Sequence, residues 1–325
     1  MPVTRDKLAK RLPVNAGAVA KLARPGSSAL LRKLPFPLAP PSVPASVEPP
    51  KVPSRVGANY DTDWARSYPA RAARVLLVEG LVRPAMEVLA RPQVRGLDRL
   101  GSLDGPAVFA ANHHSHVDTP LLLAVIPEPW RHHLFIGAAA DYFFTNRITS
   151  ALSALVIGAI PIERTKVSRT SAQQAAELIN DGWSMLIFPE GGRSPDGWGQ
   201  AFRGGAAYLS LRCGVPVVPV HVEGTGRILR KGSTVLRPSP TKVTFGWPLW
   251  PAEDEDSRAF AVRIEQAVAE LADEAATDWW QARRRAHAGA TPSLQGPAVG
   301  AWRRAWALGD RGPRRRQRLS WPDLG

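Results

Sequence analysis

The chain has 325 residues, a formal net charge of +14 and one cysteine, and its charge is spread unevenly. Residues 1–56 and 281–325 each hold 10 Lys or Arg against two acidic residues, so each terminal segment carries +8 and residues 57–280 carry −2. A nucleic-acid-binding domain needs its positive field on the folded surface, so the nearly neutral middle argues against that function and no nucleic-acid partner is expected. Cys213, followed by Gly214, excludes an internal disulfide and reads as a small core residue in a reducing compartment.

Residues 1–56 contain 11 of the 31 prolines, a density that prevents regular hydrogen bonding, and are expected as a basic, disordered tail. Arg5, Lys7, Lys10 and Arg11 imitate the start of a secretion signal, but Pro13, Asn15 and Lys21 interrupt the apolar run that should follow. Leu30, Leu31, Leu34, Phe36 and Leu38, set among basic residues, would let this tail lie on an anionic bilayer. Between 65 and 90 the apolar residues Val75, Leu76, Val78, Leu81, Val82, Met86 and Leu89 recur at helical spacing, and Pro84 is expected to kink or divide the helix.

Short apolar runs then alternate with helical ones. Strands are expected at 107–111, 156–162, 184–188, 215–222 and 242–245, and helices at 119–126, 169–180, 204–212 and 256–279. Strands separated by helices predict an α/β domain over 57–280, with a largely parallel central sheet flanked by helices and an N-terminal amphipathic helical segment at 57–92. The longest apolar run, 151–162, is well short of the roughly 20 residues a membrane span needs. Residues 281–325 form an Arg- and Trp-rich basic tail. Trp prefers the headgroup layer and Arg pairs with phosphates, so this tail reads either as a lipid anchor or as a disordered segment.

The first cluster of chemically capable groups is Asn112-His113-His114-Ser115-His116-Val117-Asp118, which holds three of the seven histidines directly after an apolar strand. A strand end opening into a loop is where an α/β domain presents reactive groups to a crevice. His113 and Asp118 are five residues apart, about 140° on an ideal helix, so they cannot share a helical face. They meet only if His113 lies on the loop and Asp118 in the first turn of the following helix. Asp118 then accepts from one imidazole nitrogen and leaves the other to take a proton. Two rival readings are a zinc site, which would make a metal-dependent hydrolase of His113, His114 and His116, and a helix cap without chemistry. No His-Glu-x-x-His or paired Cys supports the first.

A second cluster, Phe188-Pro189-Glu190-Gly191-Gly192-Arg193-Ser194, also follows an apolar strand. Its glycines permit close backbone approach to a ligand, and Arg193 with Arg203 can fork onto phosphate or carboxylate oxygens. The strand around 158–164 supplies Arg164, and Val215-Pro216-Val217-Val218-Pro219-Val220 is apolar enough to serve as a wall.

Taken in this order, the four segments resemble the glycerophospholipid acyltransferase family, which includes the 1-acylglycerol-3-phosphate acyltransferases. That family's blocks run Asn-His-x-Ser-x-x-Asp, Gly-x-x-Pro-x-x-Arg, Phe-Pro-Glu-Gly-x-Arg-Ser and Val-Pro-Val-x-Pro-Val, and here they stand at 112–118, 158–164, 188–194 and 215–220. The resemblance implies a glycerol-3-phosphate acyltransferase-like fold and an O-acyltransferase of phospholipid biosynthesis. Such an enzyme moves a fatty acyl chain from acyl-CoA or acyl carrier protein to a lysophospholipid, above all 1-acylglycerol-3-phosphate, giving phosphatidic acid. It implies His113 as general base, Asp118 as its orienting partner, Arg164 and Arg193 on the acceptor phosphate, Glu190 and Gly191 shaping the acceptor site, and Pro216 and Pro219 lining the acyl wall. It implies no metal and no cofactor beyond the acyl donor, and a cytoplasmic enzyme peripheral on the anionic inner face of the cell membrane. One departure stands out: the family often has a Lys between the first two blocks, and 135–142 here has none. A different lipid or glycolipid acceptor is therefore a second expectation.

Overall fold

The computed structural model describes residues 56–162, 169–194, 197–229 and 234–296. The chain enters through α1 (Tyr68–Leu77), passes a five-residue π turn at Val78–Val82 and continues as α2 (Arg83–Leu89). Pro84 offers no N–H to a helical ladder, so the expected division falls just before it, as a widened turn rather than a break. There follow β1 (Pro92–Arg95), β2 (Val108–Ala111), α3 (Asp118–Val125), β3 (Leu134–Ala139), α4 (Ala140–Phe143), α5 (Arg147–Ile157), β4 (Ala159–Ile162), α6 (Arg169–Asn180) and β5 (Ser184–Ile187). The domain closes with α7 (Gly205–Cys213), β6 (Val217–Glu223), α8 (Thr225–Ile228), β7 (Thr241–Phe245), α9 (Ser257–Ala276) and α10 (Trp279–His287).

The seven strands form one sheet in the order β1-β7-β6-β2-β5-β3-β4, and every neighbouring pair is parallel except β6 with β7. Strand alternation divides the core in two. Phe109 and Ala111 of β2 face a cluster with Leu121, Leu122 and Ile126, whereas Val108 and Ala110 face Ile179, Leu209, Phe260 and Ile264. Thus α3 covers one face of the sheet and α6, α7 and α9 cover the other, which buries β2 on both sides and explains its uninterrupted apolar sequence.

Two expectations about element boundaries are corrected. The strand expected at 156–162 is the last turn of α5 followed by β4. Asn146 caps that helix by accepting from the Ile148 and Thr149 N–H groups, and Gly158 ends it at φ +63, where any Cβ would lie 2.8 Å from the Leu134 carbonyl. The long helix expected at 256–279 stops at Ala276, because Asp278 turns its side chain to the Gln281 N–H and starts α10. That last helix runs past residue 280 and is held on α9 by Arg285–Asp273 and Arg283–Glu270 ion pairs at 2.8 and 3.3 Å. The strands β1 and β3 and most of α5 had no counterpart in the sequence reading.

The N-terminal helix is fastened by a buried cation. The Arg74 guanidinium donates to the carbonyls of Ala65, Ala154 and Leu155 at 2.7–2.9 Å, so it joins α1 to the C-terminal end of α5, where the helix dipole favours positive charge. Burial pushes its pKa down to about 10, and it stays charged at neutral pH. Replacing Arg74 with Ala leaves three inward-facing carbonyls unsatisfied and is expected to cost about 2–3 kcal/mol, lowering the thermal midpoint by roughly 4–12 °C in a calorimetric scan.

Candidate active site

The site lies at the carboxyl ends of β2, β3 and β5. Asn112 closes β2 against β6 with a two-way pair, its amide donating to the Val222 carbonyl at 2.8 Å and accepting from the Val222 N–H at 2.7 Å. The chain then leaves the sheet as a loop and re-enters regular structure at Asp118, the first residue of α3. This bend brings His113 and Asp118 together: the imidazole Nδ1 lies 2.9 Å from Asp118 Oδ2. The same oxygen accepts from the backbone N–H groups of His114 and Ser115 at 2.7 and 2.8 Å, and the Asp118 side chain is wholly buried. A carboxylate only accepts, so Nδ1 carries the proton and Nε2 presents a lone pair. The ring is sandwiched against Phe188, with centroids 4.1 Å apart and planes at 19°.

His113 is one wall of a groove enclosing about 980 Å³ of empty space, part of it open to solvent. The remaining lining is mainly apolar: Ile136, Gly137, Ala138 and Ala139 of β3, with Phe143, Ile157, Ile162 and Ile187, and a polar end at Gly191, Gly192 and Arg203. The segment without a family Lys therefore forms β3 and α4, and it contributes small apolar residues to the groove.

Glu190 does not project into the groove. It is 2 % exposed and points inward, where Oε1 accepts from the His113 N–H and Oε2 from the Gln200 N–H, both at 2.9 Å. Burial pushes its pKa up to about 7, the two backbone donors oppose that shift, and the nearby Asp118 and Glu265 carboxylates add to it. Glu190, expected to shape the acceptor site, thus braces the 112–118 loop from behind. Ser194 adds to the brace, its N–H donating to the His113 carbonyl at 2.8 Å. Gly191 adopts φ +70, and a Cβ there would lie 2.9 Å from the Arg203 guanidinium carbon, so both backbone and space favour glycine.

The other expected site residues are placed unequally. Arg203 lines the groove, while Arg193 sits half-buried on the same turn as Glu190 and is not among the lining residues. Arg164 lies outside the described residues. The expected acyl wall at Pro216 and Pro219 is overturned, since neither lines the groove. β6 sits on the far side of β2 from β5, β3 and β4, and Pro219 is paired in register with Ala110 while its carbonyl accepts from Gly246 at 2.8 Å. The apolar wall comes from β3 and β4 instead.

The three clustered imidazoles have different partners, and their ligand atoms do not come within 4.8 Å of one another as a set of three. His113 turns to Asp118, and His116 stacks on Tyr142 at 4.8 Å. His114 is half-buried near Glu223 and His221; desolvation lowers its pKa, and full burial pushes His221 down to about 3. Among the described residues, the grouping with acidic and imidazole ligand atoms within 4.8 Å of one another is Glu79, Glu128 and His132, where Arg83 and Arg131 already pair with Glu79.

A family model described as Acyltransferase matches residues 91–223, which contain all four motif blocks. Over these residues the chain is similar to acyltransferases. It is 32 % identical over 163 residues to a chloroplastic 1-acyl-sn-glycerol-3-phosphate acyltransferase of Brassica napus, covering 49 % of this chain and 45 % of the relative. It is 34 % identical to the corresponding chloroplastic enzyme of Arabidopsis thaliana over 48 % of this chain and 43 % of the relative. To the 1-acyl-sn-glycerol-3-phosphate acyltransferase of Pseudomonas aeruginosa it is 32 % identical over 55 % of this chain and 66 % of the relative. The chain spans about half the length of the two plant relatives. A solved structure of the 1-acyl-sn-glycerophosphate acyltransferase of Thermotoga maritima superposes with a TM-score of 0.49 at 22 % identity, covering 66 % of this chain and 83 % of that one.

Four contributors to the site are absent from the sequence-level inventory. Gln200, Glu265, Ile136 and Ile162 lie outside the motif blocks or at their unremarked positions, and only proximity in the fold reveals them.

The raised pKa of Glu190 has a definite sign. Between about pH 4.5 and 7 the folded state binds more protons than the unfolded one, so this group's stabilising contribution is complete below the lower value and is lost as pH rises through the upper. The stability difference between wild type and Glu190→Gln is expected to shrink across that window by an amount on the order of 3 kcal/mol, as read from urea titrations at several pH values.

Proposed function

We propose that the chain catalyses transfer of a fatty acyl group from a thioester, acyl-CoA or acyl carrier protein, to the free hydroxyl of a lysophospholipid, with 1-acylglycerol-3-phosphate giving phosphatidic acid as the foremost reaction. The observation that carries this reading is the His113–Asp118 pair at 2.9 Å beside an apolar groove ending in an arginine. His113 Nε2 takes the hydroxyl proton as the oxygen attacks the thioester carbonyl carbon. The tetrahedral intermediate then expels the thiol sulfur, which receives that proton, and the new ester leaves. Asp118 holds the tautomer and stabilises the imidazolium while it exists. No cofactor beyond the donor enters this scheme. Arg203, with Arg164 and Arg193, supplies the positive charge for the acceptor phosphate, and the β3–β4 wall accommodates acyl carbons. The apolar Gly137–Ala139 stretch, which lacks the family Lys, favours a second reading in which the same chemistry serves a less charged lipid or glycolipid.

A general base contributes about 10²- to 10⁴-fold, so His113→Ala is expected to lower kcat by at least that factor in a thiol-release assay. Asp118→Asn should also lower kcat, with a smaller effect on acceptor KM. Wild-type turnover by purified His113→Ala would exclude this mechanism.

The enzyme works peripherally on an anionic membrane face in this reading, on the cytoplasmic side. No described helix is long and apolar enough to cross a membrane. The N-terminal helices leave Tyr68, Leu76, Leu81 and Val88 exposed, and the terminal segments carry the basic residues. Each Lys or Arg near such a surface is worth roughly 1 kcal/mol within a Debye length of about 8 Å. Co-sedimentation with acidic liposomes should therefore weaken as salt rises and weaken again when residues 1–56 are removed; binding indifferent to both would refute the electrostatic part.

A further inference from the structure

The loop 197–203, which connects the Glu190 turn to α7, is held by donations from its backbone N–H groups. The Gln200 N–H goes to Glu190, the Phe202 N–H to Glu265 Oε2 at 2.9 Å, and the Arg203 N–H to the Pro189 carbonyl at 3.0 Å. Glu265 belongs to α9, and its other oxygen accepts from the Gln295 side chain at 2.9 Å. Residues 293–296 lie across the same loop: the Gly199 N–H donates to the Leu294 carbonyl at 2.9 Å, and Gly296 approaches Trp198 so closely that a Cβ would stand 2.5 Å from the indole. Both Glu265 and this strap lie outside residues 91–223, the part matched by the family model.

We propose that Glu265 and the 293–296 strap form a positioning device for acceptor binding, fixing the loop so that the Arg203 guanidinium stays against Gly191 in the groove. This rests on the acyl-transfer reading. The argument is one of charge and entropy. In a lysophospholipid the anionic phosphate lies close to the reacting hydroxyl, whereas the reacting thioester is neutral, so a groove-lining cation discriminates through the acceptor. The 135–142 segment offers no lysine for that purpose, so the task falls more heavily on Arg203. A freely moving loop would lose backbone entropy each time substrate binds, a cost the Glu265 and Leu294 bonds remove in advance.

The experiment compares Glu265→Ala, Glu265→Gln, Arg203→Ala and the Glu265→Ala/Arg203→Ala double variant, using 1-acylglycerol-3-phosphate and an acyl-CoA. Glu265→Ala is expected to raise acceptor KM about tenfold, with kcat within about threefold of wild type and donor KM unchanged. Arg203→Ala should do the same, and the double variant should be no worse than Arg203→Ala alone, because both changes remove one interaction. Glu265→Gln should restore most of the acceptor affinity, since its carbonyl still accepts from Phe202 and the Gln295 amide can turn to meet the new NH₂. Amide exchange at Gly199 and Phe202 should speed up in Glu265→Ala, a readout independent of turnover. Faster exchange with an unaltered acceptor KM would overturn the proposal and leave the acyltransferase reading standing. Equal loss for donor and acceptor would also overturn it, by reducing Glu265 to general support. Absence of thioester turnover in the wild type would instead sink the reading beneath it.

Discussion

One carboxylate oxygen organises the whole catalytic loop. Asp118 Oδ2 takes three donors at 2.7–2.9 Å, two from the backbone and one from the imidazole, in a position with no solvent exposure. Burying a charge is costly unless hydrogen bonds replace the lost water, and here the replacement comes from the very residues whose geometry the carboxylate must set. Curling the backbone around Asp118 and aiming the His113 ring are therefore one event. Phe188 then limits the ring from its face, and Glu190 fixes the residue that carries it through the His113 N–H. His113 is held at its ring edge by the first residue of α3, and at its ring face and backbone by the turn that follows β5.

The sheet order explains why the groove opens where it does. β2 is central and its two neighbours are later, consecutive strands of the chain, with β6 on one side and β5 on the other. The loops that follow β2 and β5 both carry chemistry, and together with β3 they bound the groove. β6, on the opposite flank of β2, contributes no residue to the groove lining. A reader of the motifs alone assigns equal functional weight to all four blocks, whereas the topology separates those that bound the cavity from the one that supports its back.

Much of this was legible in the chain itself. The alternation of apolar runs with helical stretches was enough for the layered architecture, and α6 was read to its limits because its periodicity is uninterrupted. The meeting of His113 with Asp118 followed from helical angle arithmetic: two residues 140° apart must be joined by a bend. The misjudged positions share a physical cause, which is dependence on partners distant in sequence. Val156 and Ile157 look like the start of a strand until Asn146, ten residues earlier, is seen to cap a helix that contains them. Glu190 looks like a solvent-facing ligand because its two donors, at positions 113 and 200, are invisible locally. Pro219 looks like a surface wall because nothing in its neighbourhood states that β7 will pair beside it.

The widened turn at Val78–Val82 has a consequence for how this region tolerates change. A turn of this kind holds one residue more than an α-helical turn, and each residue rotates the chain by about 100°. Shortening it by a single position would swing the following helix through that angle, carrying Met86 out of the interior and bringing the charged Glu87 into its place. The number of residues in this turn is therefore a fixed dimension, as the pitch of a screw thread is fixed for its nut.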